Sequence, residues 1–339
     1  MEAYTVMFVL VGGSTATARI PGISAAGASP ELLAHTPSAD LEIVYYGKPV
    51  SSSIVPVSPT GCPTPAVITR AVLETLERSA TPIDGGLEHP TAAPTISIAN
   101  TPGDDIRSPP AVQSARSAFT AGKSLGERLP TDTLTIGETI PGGTTTALAV
   151  LTALGERASV SSSLADNPLE LKRTVVEAAL TALNHEPGAF ANRPIDALRT
   201  LGDPVLATVA GLTVGALETG CAVTLGGGTQ MAAVVALVRH AGCSEPLEIA
   251  TTSFVGADDT APIQSLADDL DFSLTVTDPG FDAESHPAFD AYEAGHAKEG
   301  AGMGGALALA TANGISMARV RDQTIAVYDR LLESAPVEP

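Results

Sequence analysis

Residues 133–155, TLTIGETIPGGTTTALAVLTALG, are the stretch that decides the fold. The first four residues have strand character, a glycine-rich turn follows, and an alanine- and leucine-rich helix comes last. Glycines let the backbone close on a ligand, and the free N–H groups in the first turn of a helix attract an anion. Glu138 stands beside this turn. The stretch therefore predicts an anion site between a strand and a helix, with a carboxylate next to it.

Strand-like and helix-like segments alternate along the rest of the chain. Buried strands are predicted at residues 4–11, 41–46, 53–57, 96–99, 222–225, 247–251 and 272–276. Helices are predicted at residues 66–78, 110–122, 169–183, 194–217 with a break at 202–204, 230–238, 262–268 and most of 285–333, and a loop is predicted at 80–94. The alternation is typical of an α/β fold in three α/β/α layers, doubly wound around a mostly parallel, Rossmann-like sheet.

The length of 339 residues allows one large α/β domain with an added subdomain. We expect residues 1–90 to contribute to a smaller subdomain and residues 91–284 to form the main domain with the anion site. Residues 285–339 are expected to form C-terminal helices that complete the smaller subdomain.

The charge balance is strongly acidic, with 38 Asp and Glu against 18 Lys and Arg and a net charge of −20. Such a surface repels phosphate backbones and anionic lipid, so we expect neither nucleic acid nor a membrane as a partner. Many carboxylates also suit a salt-rich cytoplasm, in which we expect stability to rise with molar salt. No basic region with a cleavage site opens the chain, which favours a cytoplasmic protein.

Several common site patterns are incomplete in this chain. Residues 137–144 nearly spell a phosphate-binding ATPase loop, but Gly143 stands where that loop requires lysine. Residues 300–305, GAGMGG, fit a dinucleotide-binding pattern, but they lie near the C-terminus with no βαβ unit after them, so close helix packing is the favoured use. The 6 histidines and 3 cysteines lack metal-ligand spacing, and no G-x-S-x-G elbow is present. We therefore expect no metal, no cofactor and no serine hydrolase.

Taken together, four segments resemble the nicotinate-nucleotide:dimethylbenzimidazole phosphoribosyltransferase family, in the divergent form of archaea. Residues 137–145, GETIPGGTT, are similar to the family's G-E-M-G-I-G-N-T-T phosphate and ribose segment, and residues 171–176, LKRTVV, to its N-K-x-x-V-V helix. Residues 195–203, IDALRTLGD, resemble its I-D-x-L-x-x-x-G-G segment, and residues 298–302, KEGAG, its catalytic-glutamate loop. The resemblance covers roughly residues 95–312 and keeps the order of the motifs.

The resemblance implies that 5-phosphoribose moves from nicotinate mononucleotide to a benzimidazole-type base, with release of nicotinate and without a cofactor. It implies Glu299 as the base that takes the azole proton and Glu138 as a second catalytic carboxylate. It also implies a homodimer. The residues implied to bind phosphate and ribose are Gly142, Gly143, Thr144, Thr145, Lys172 and Gly202.

Two departures and two alternatives stay open at this point. The family's D-H-G-V and G-V-S base-pocket segment is replaced by residues 100–107, NTPGDDIR, so the accepting base is open. Asp203 replaces the second glycine of the family's G-G pair. A phosphoribosyl or nucleotide hydrolase would use the same pocket with water as acceptor, and a nucleotide-binding protein would bind without reaction. Two glutamates beside glycine turns favour catalysis.

Overall fold

One parallel sheet of seven strands forms the centre of the protein. The structure is a computed structural model that describes residues 5–24, 30–51, 57 and 62–334. The strands are β1 (Val6–Gly12), β2 (Ala80–Gly85), β3 (Ile96–Ala99), β4 (Thr133–Thr139), β5 (Ala222–Gly226), β6 (Glu248–Thr252) and β7 (Ser273–Thr277). They lie in the order β3-β2-β1-β4-β5-β6-β7, and each pair of neighbours is parallel.

Helices cover both faces of this sheet. They are α1 (Pro30–Tyr46), α2 (Ala66–Thr75), α3 (Ala115–Gly126), α4 (Gly143–Leu154), α5 (Leu169–Ala182), α6 (Pro194–Leu201), α7 (Pro204–Glu218), α8 (Thr229–His240), α9 (Ser253–Gly256), α10 (Ile263–Leu270), α11 (Pro287–Glu293), α12 (Met303–Ala312) and α13 (Met317–Ser334). None of the helices within these described residues is both long and apolar enough to cross a bilayer.

The alternation of side chains along β1 divides the core into two parts. Val9 and Val11 pack with helices α3 to α8 and α10, while Phe8 and Leu10 pack with α1, α2, α12 and α13. Side chains two residues apart on a strand point to the same face, so β1 contributes side chains to both parts of the core. The predicted three-layer, doubly wound α/β fold is confirmed.

The N-terminal 90 residues are not separate from the main sheet. They supply β1 and β2, and β1 pairs with β4 in the middle of the sheet. In the second helix layer α2 packs on α1, α12 and α13, which come from the two ends of the chain. A boundary at residue 90 is therefore not a boundary in the sheet, because long-range strand pairing crosses it.

Two local predictions in this region were wrong. Residues 41–46 were predicted as a strand from their apolar and aromatic side chains but form the end of α1, and residues 80–85, inside a predicted loop, form β2. The predicted strand at 53–57 lies, apart from Val57, outside the described residues. In contrast, the helix break at residues 202–204 is confirmed, with α6 ending at Leu201 and α7 beginning at Pro204.

The strand order sets the place of the binding site. The chain builds outward from β1 to β2 and β3 on one side, then returns to add β4 on the other side. In such sheets the connections after the two central strands leave toward opposite faces, and a crevice opens beyond their carboxyl ends. The segments that follow β1 and β4 are therefore the expected walls of a ligand site.

Candidate functional site

A cleft opens beyond the carboxyl ends of β4, β5 and β6. Its walls come from several segments that are distant in sequence. They include Asp40 of α1, residues 138–144, the serine loop 161–163, residues 228–230 and the loop 297–301.

The glycine turn predicted from the sequence forms one wall of the cleft. Gly142 caps α4 with φ of 78°, and a Cβ atom built on it would stand 2.8 Å from the Cα of Ala18. Only glycine fits this position, because both the positive φ and the backbone contact exclude a side chain. Gly142, Gly143 and Thr144 line the cleft, whereas Thr145 is fully buried behind them and is absent from the lining.

A second helix begins in the same cleft and was not assigned to the site from the sequence. Gly228, Thr229 and Gln230, at the start of α8, line the cleft next to the glycine turn. The hydroxyl of Thr229 accepts a hydrogen bond of 2.9 Å from the backbone N–H of Ser161, which fixes the serine loop against this helix. Two helix N-termini therefore face one cavity, and both favour an anion there.

Glu299 lines the cleft half-buried, with its carboxylate held by backbone donors. Its Oε1 accepts hydrogen bonds from the N–H groups of Gly304 at 2.9 Å and Gly300 at 3.2 Å. Burial raises the pKa of Glu299 to about 7, although these hydrogen bonds favour the charged form and oppose the shift. A carboxyl group with this pKa is divided between its acid and base forms near neutral pH.

Glycine contacts between α12 and the sheet explain how a C-terminal loop reaches the cleft. Gly302 packs against Gly137 of β4, and a Cβ atom built on Gly305 would stand 2.8 Å from the Cα of Gly226 on β5. The glycines of residues 300–305 therefore serve the close helix packing favoured from the sequence. Because Gly137 precedes Glu138, the same contact brings Glu299 toward Glu138.

Glu138 ends β4 as a buried carboxyl group in the cleft wall. Burial raises the pKa of Glu138 to about 8, and the negative charges of Asp203, Glu299 and Asp40 add to the shift. Glu138 therefore holds its proton more tightly than an exposed glutamate does. Glu138 and Glu299 face the same cavity with different proton affinities, an arrangement that separates acid and base roles.

Two further buried carboxyl groups, those of Asp40 and Asp203, lie close enough to Glu138 to raise its pKa. The sequence did not assign either of them to the site. Asp40 accepts hydrogen bonds of 2.6 Å from the hydroxyls of both Thr139 and Thr64. Asp203 caps α7 by accepting from the N–H of Leu206 at 2.8 Å, and it also accepts from the hydroxyl of Thr146. Burial raises the pKa of each carboxyl group to about 6. Asp40 was missed because the helix that carries it was not predicted; residues 41–46, directly after it, were predicted as a strand.

Lys172 lies behind the cleft rather than in its lining. The ammonium group is fully buried and donates to the carbonyl of Ser161 at 2.9 Å. Burial lowers the pKa of Lys172 to about 7, and the neighbouring charge of Lys298 adds to the decrease. The direct contact with phosphate expected for Lys172 is therefore replaced by support of the serine loop. The cation in the lining is Lys298, which pairs with Asp258 at 2.8 Å.

Gly202 also lies outside the cleft lining, contrary to its expected role in substrate binding. It ends α6, and a Cβ atom built on it would stand 2.8 Å from the carbonyl oxygen of Leu198. Gly202 is therefore required for the tight turn that presents Asp203. Within the described residues, no group of three or more His, Cys, Asp or Glu side chains is arranged to hold a metal ion.

Comparisons with known proteins agree with this geometry. Residues 23–253 match the family model DBI_PRT, described as phosphoribosyltransferase. The chain is 57% identical over 326 residues to the UPF0284 protein of Halobacterium salinarum, covering 96% of this chain and 98% of that one. It is 42% identical over 322 residues to the UPF0284 protein of Methanosarcina mazei, covering 94% and 92% of the two chains.

Solved structures share the fold at low sequence identity. CobT from Thermus thermophilus superposes with a TM-score of 0.63 at 16% identity, covering 97% of this chain and 84% of that one. A second structure, described as the nicotinate-nucleotide-dimethylbenzimidazole phosphoribosyltransferase of the same organism, gives 0.59 at 18% identity with coverage of 99% and 86%. The chain belongs to the phosphoribosyltransferase family whose model it matches, and it is therefore an enzyme of the pentosyltransferase class.

Proposed function

We propose that this enzyme transfers 5-phosphoribose from nicotinate mononucleotide to a benzimidazole-type base and releases nicotinate. One observation carries the proposal: a proton-accepting carboxylate, Glu299, shares a single cleft with two helix N-termini that attract an anion. The carboxylate suits deprotonation of an azole, and the helix N-termini suit the binding of a phosphate. The structural likeness to the dimethylbenzimidazole enzyme supports the same choice of substrates.

The phosphate of the mononucleotide would lie between the starts of α4 and α8. Gly143 and Thr144 on one side, and Thr229 on the other, present the first turns of these helices to the cleft. Each turn has backbone N–H groups without helical acceptors and the positive end of a helix dipole. Bound there, the phosphate would orient the ribose so that C1′ faces the carboxyl groups.

The transfer replaces one bond from C1′ to nitrogen with another. The bond between C1′ and the pyridinium nitrogen breaks, and its electron pair stays on the ring, which leaves as nicotinate with a neutral ring. A nitrogen of the incoming azole forms the new bond to C1′, and its N–H proton passes to the carboxylate of Glu299. The enzyme holds both rings against C1′ in the orientation that the reaction needs. The exchange is fast because the two substrates are already in place when it begins.

We propose that Glu138 acts in its protonated form, whereas Glu299 acts as a carboxylate. Because its pKa is raised to about 8, it carries a proton at pH 7 and can donate a hydrogen bond to a ribose hydroxyl. Such a bond positions the sugar without placing a second full negative charge near Glu299. Asp40 and Asp203 would maintain this state, since each raises the proton affinity of Glu138.

The walls near Glu299 favour a flat apolar ring as acceptor. Pro65, Val255 and Ala301 line this part of the cleft, and Gly300 adds no side chain beyond its backbone. A benzimidazole has two apolar faces and one N–H edge, which is the combination these groups fit. On the resemblance to the family we also propose a homodimer, to be checked by light scattering.

The test is a nicotinate-release assay with a panel of bases. Purified enzyme in high salt is mixed with nicotinate mononucleotide and, in separate reactions, with benzimidazoles, purines or no base. We expect release only with a base, fastest with benzimidazoles, and a product in which the base carries phosphoribose. Release without any base would indicate a hydrolase instead, and tight mononucleotide binding with no release would indicate a binding protein.

A further inference from the structure

One polar side chain in the cleft wall has a buried donor without an acceptor. Gln230, at the second position of α8, is 5% exposed and lines the cleft. Its Nε2 atom is inaccessible to solvent and donates to no atom of the described chain. A buried donor without a partner destabilises a folded protein, so nearly all such donors are satisfied. The free donor of Gln230 therefore points to a group that is bound only part of the time.

The neighbours of Gln230 indicate the charge of that group. A Cβ atom built on Gly143 would stand 2.5 Å from Nε2, so the amide packs against the first residue of α4. Gln230 itself belongs to the first turn of α8. The side chain thus lies where the N-termini of two 12-residue helices meet, and both helix dipoles are positive there. A ligand that accepts a hydrogen bond at this point is most stable as an anion.

We propose that Gln230 recognises the 5′-phosphate of the mononucleotide, its side-chain amide turning toward the cleft so that Nε2 donates a hydrogen bond to a terminal phosphate oxygen. A phosphate has three terminal oxygens, enough to accept from both helix ends and from the amide at once. The carboxylate of the pyridine ring, the other anion of the substrate, has two oxygens and belongs with the ring beside Glu299. This inference rests on the proposed function for the donor substrate, but it does not depend on the accepting base.

The constraint on Gly143 follows from the same contact. Any side chain at this position would meet the amide of Gln230 before it met the backbone, since the three nearest atoms to the added Cβ all belong to Gln230. Gly143→Ala would therefore displace the donor without removing it. If Gln230 recognises phosphate, Gly143→Ala and Gln230→Met weaken phosphate binding through one interaction, and their effects are not additive.

The test measures ligand binding by calorimetry for the whole enzyme and for Gln230→Met. The ligands are ribose 5-phosphate, nicotinate mononucleotide and nicotinate riboside, which lacks the phosphate. We expect Gln230→Met to bind both phosphorylated ligands roughly 10- to 100-fold more weakly, the usual effect of losing one hydrogen bond to a charged group, and to bind the riboside unchanged. Gln264→Met, at an exposed glutamine on α10, is the matched control and should bind all three as the wild type does.

Thermal stability separates recognition from a structural role. Methionine has nearly the size of glutamine and no donor to leave unsatisfied, so Gln230→Met without ligand should melt at the same temperature as the wild type or higher. A lower melting temperature would assign Gln230 to packing, and an equal loss for riboside and mononucleotide would assign it to the ring carboxylate. Unchanged ribose 5-phosphate binding with intact transfer to a base would overturn the role of Gln230 alone. Absence of base-dependent transfer in the wild-type enzyme, together with the expected binding change in Gln230→Met, would overturn the proposed function alone.

Discussion

Gly302 lies directly on Gly137: a Cβ atom built on Gly137 would stand 2.6 Å from the Cα of Gly302. This contact joins the start of α12 to the strand β4, and the glutamates of the cleft stand one residue after Gly137 and three residues before Gly302. A side chain at either glycine would separate the helix from the sheet. The spacing of the two catalytic candidates therefore depends on two residues that have no reactive group.

The first prediction concerns Gly302→Asn compared with Gly314→Asn. Both glycines have similar positive φ values, 75° and 73°, which asparagine tolerates better than most residues. At Gly302 the new Cβ would stand 2.9 Å from the ring of Phe8, whereas no atom lies within 4 Å at Gly314. We expect Gly302→Asn to lose about 1–3 kcal/mol of unfolding free energy, and roughly 100-fold in turnover because Glu299 is displaced. Gly314→Asn should lose little of either, and equal losses in the two variants would contradict the role of the contact.

The second prediction is a bell-shaped pH profile for kcat/KM. Glu299 must lose its proton to act as a base, with a pKa raised to about 7, and Glu138 must keep its proton to act as a donor, with a pKa raised to about 8. Activity should therefore rise through pH 7 and fall above pH 8. Glutamine at position 138 keeps a donor but does not titrate, so Glu138→Gln should lose the alkaline limb and keep the acid limb. An alkaline limb that persists in this variant would exclude Glu138 as its source.

The third prediction concerns stability and the same carboxyl group. The folded pKa of Glu138 is raised from 4.5 to about 8, so the folded state holds the proton more tightly than the unfolded chain. Its contribution to stability is complete below pH 4.5 and is lost as the pH rises toward 8. The glutamine of Glu138→Gln does not ionise, so this variant does not lose stability in the same pH range. The melting temperature of Glu138→Gln minus that of the wild type should therefore increase from pH 4.5 to pH 8. Glu177→Gln, at an exposed glutamate of α5, is the control, and parallel curves for wild type and Glu138→Gln would contradict the shift.

The fourth prediction concerns Lys172→Met. The buried ammonium of Lys172 holds the carbonyl of Ser161, and the N–H of Ser161 donates to Thr229 at the phosphate side of the cleft. Without this ammonium the serine loop loses one of its supports, so we expect the KM for mononucleotide to rise roughly tenfold, the effect of one hydrogen bond, with a smaller change in kcat. Arg173→Met, at an exposed position one residue along the same helix, should behave as the wild type. An unchanged KM in Lys172→Met would remove the lysine from the site.

The fifth prediction concerns salt. The net charge of −20 repels itself in dilute buffer, and salt screens this repulsion over a distance of about 3 Å at 1 M. We therefore expect the melting temperature to rise steeply between dilute buffer and molar potassium chloride. A flat response would mean that the acidic surface is not an adaptation to salt.

Local patterns were sufficient to predict the glycine turn before α4 and the break before α7, but not the place of α8 in the cleft wall. The glycine turn before α4 and the break before Pro204 follow from residue types whose backbone preferences are strong, so tertiary contacts do not override them. The predicted order of strands and helices also implied that the ends of β4, β5 and β6 share one edge, which is where the cleft lies. The prediction that Glu138 and a distant Glu299 act in one cavity rested on the resemblance to the phosphoribosyltransferase family.

The elements that were missed are those in which tertiary packing overrides local preference. β2 contains Pro82, which cannot donate to a strand partner and usually excludes an inner strand, yet β2 pairs with both β1 and β3. α1 contains Pro37 and ends in β-branched and aromatic residues, so its sequence favours a strand although it packs as a helix on β1. Asp40 could not be assigned to the site without this helix. Nothing in the sequence distinguishes Gln230 from the other glutamines. Its donor without an acceptor is seen only in the structure, where the amide packs against Gly143.

The most direct test of the site is single-turnover nicotinate release by Glu299→Gln, with mononucleotide affinity measured on the same protein. Glutamine keeps the oxygen that accepts from Gly304 and Gly300, so the loop should stay in place while the proton acceptor is lost. We expect base-dependent release to fall by roughly 10²- to 10⁴-fold and the mononucleotide Kd to stay near that of the wild type. Base-dependent release at the wild-type rate by Glu299→Gln would contradict the assignment of Glu299 as the base that takes the azole proton.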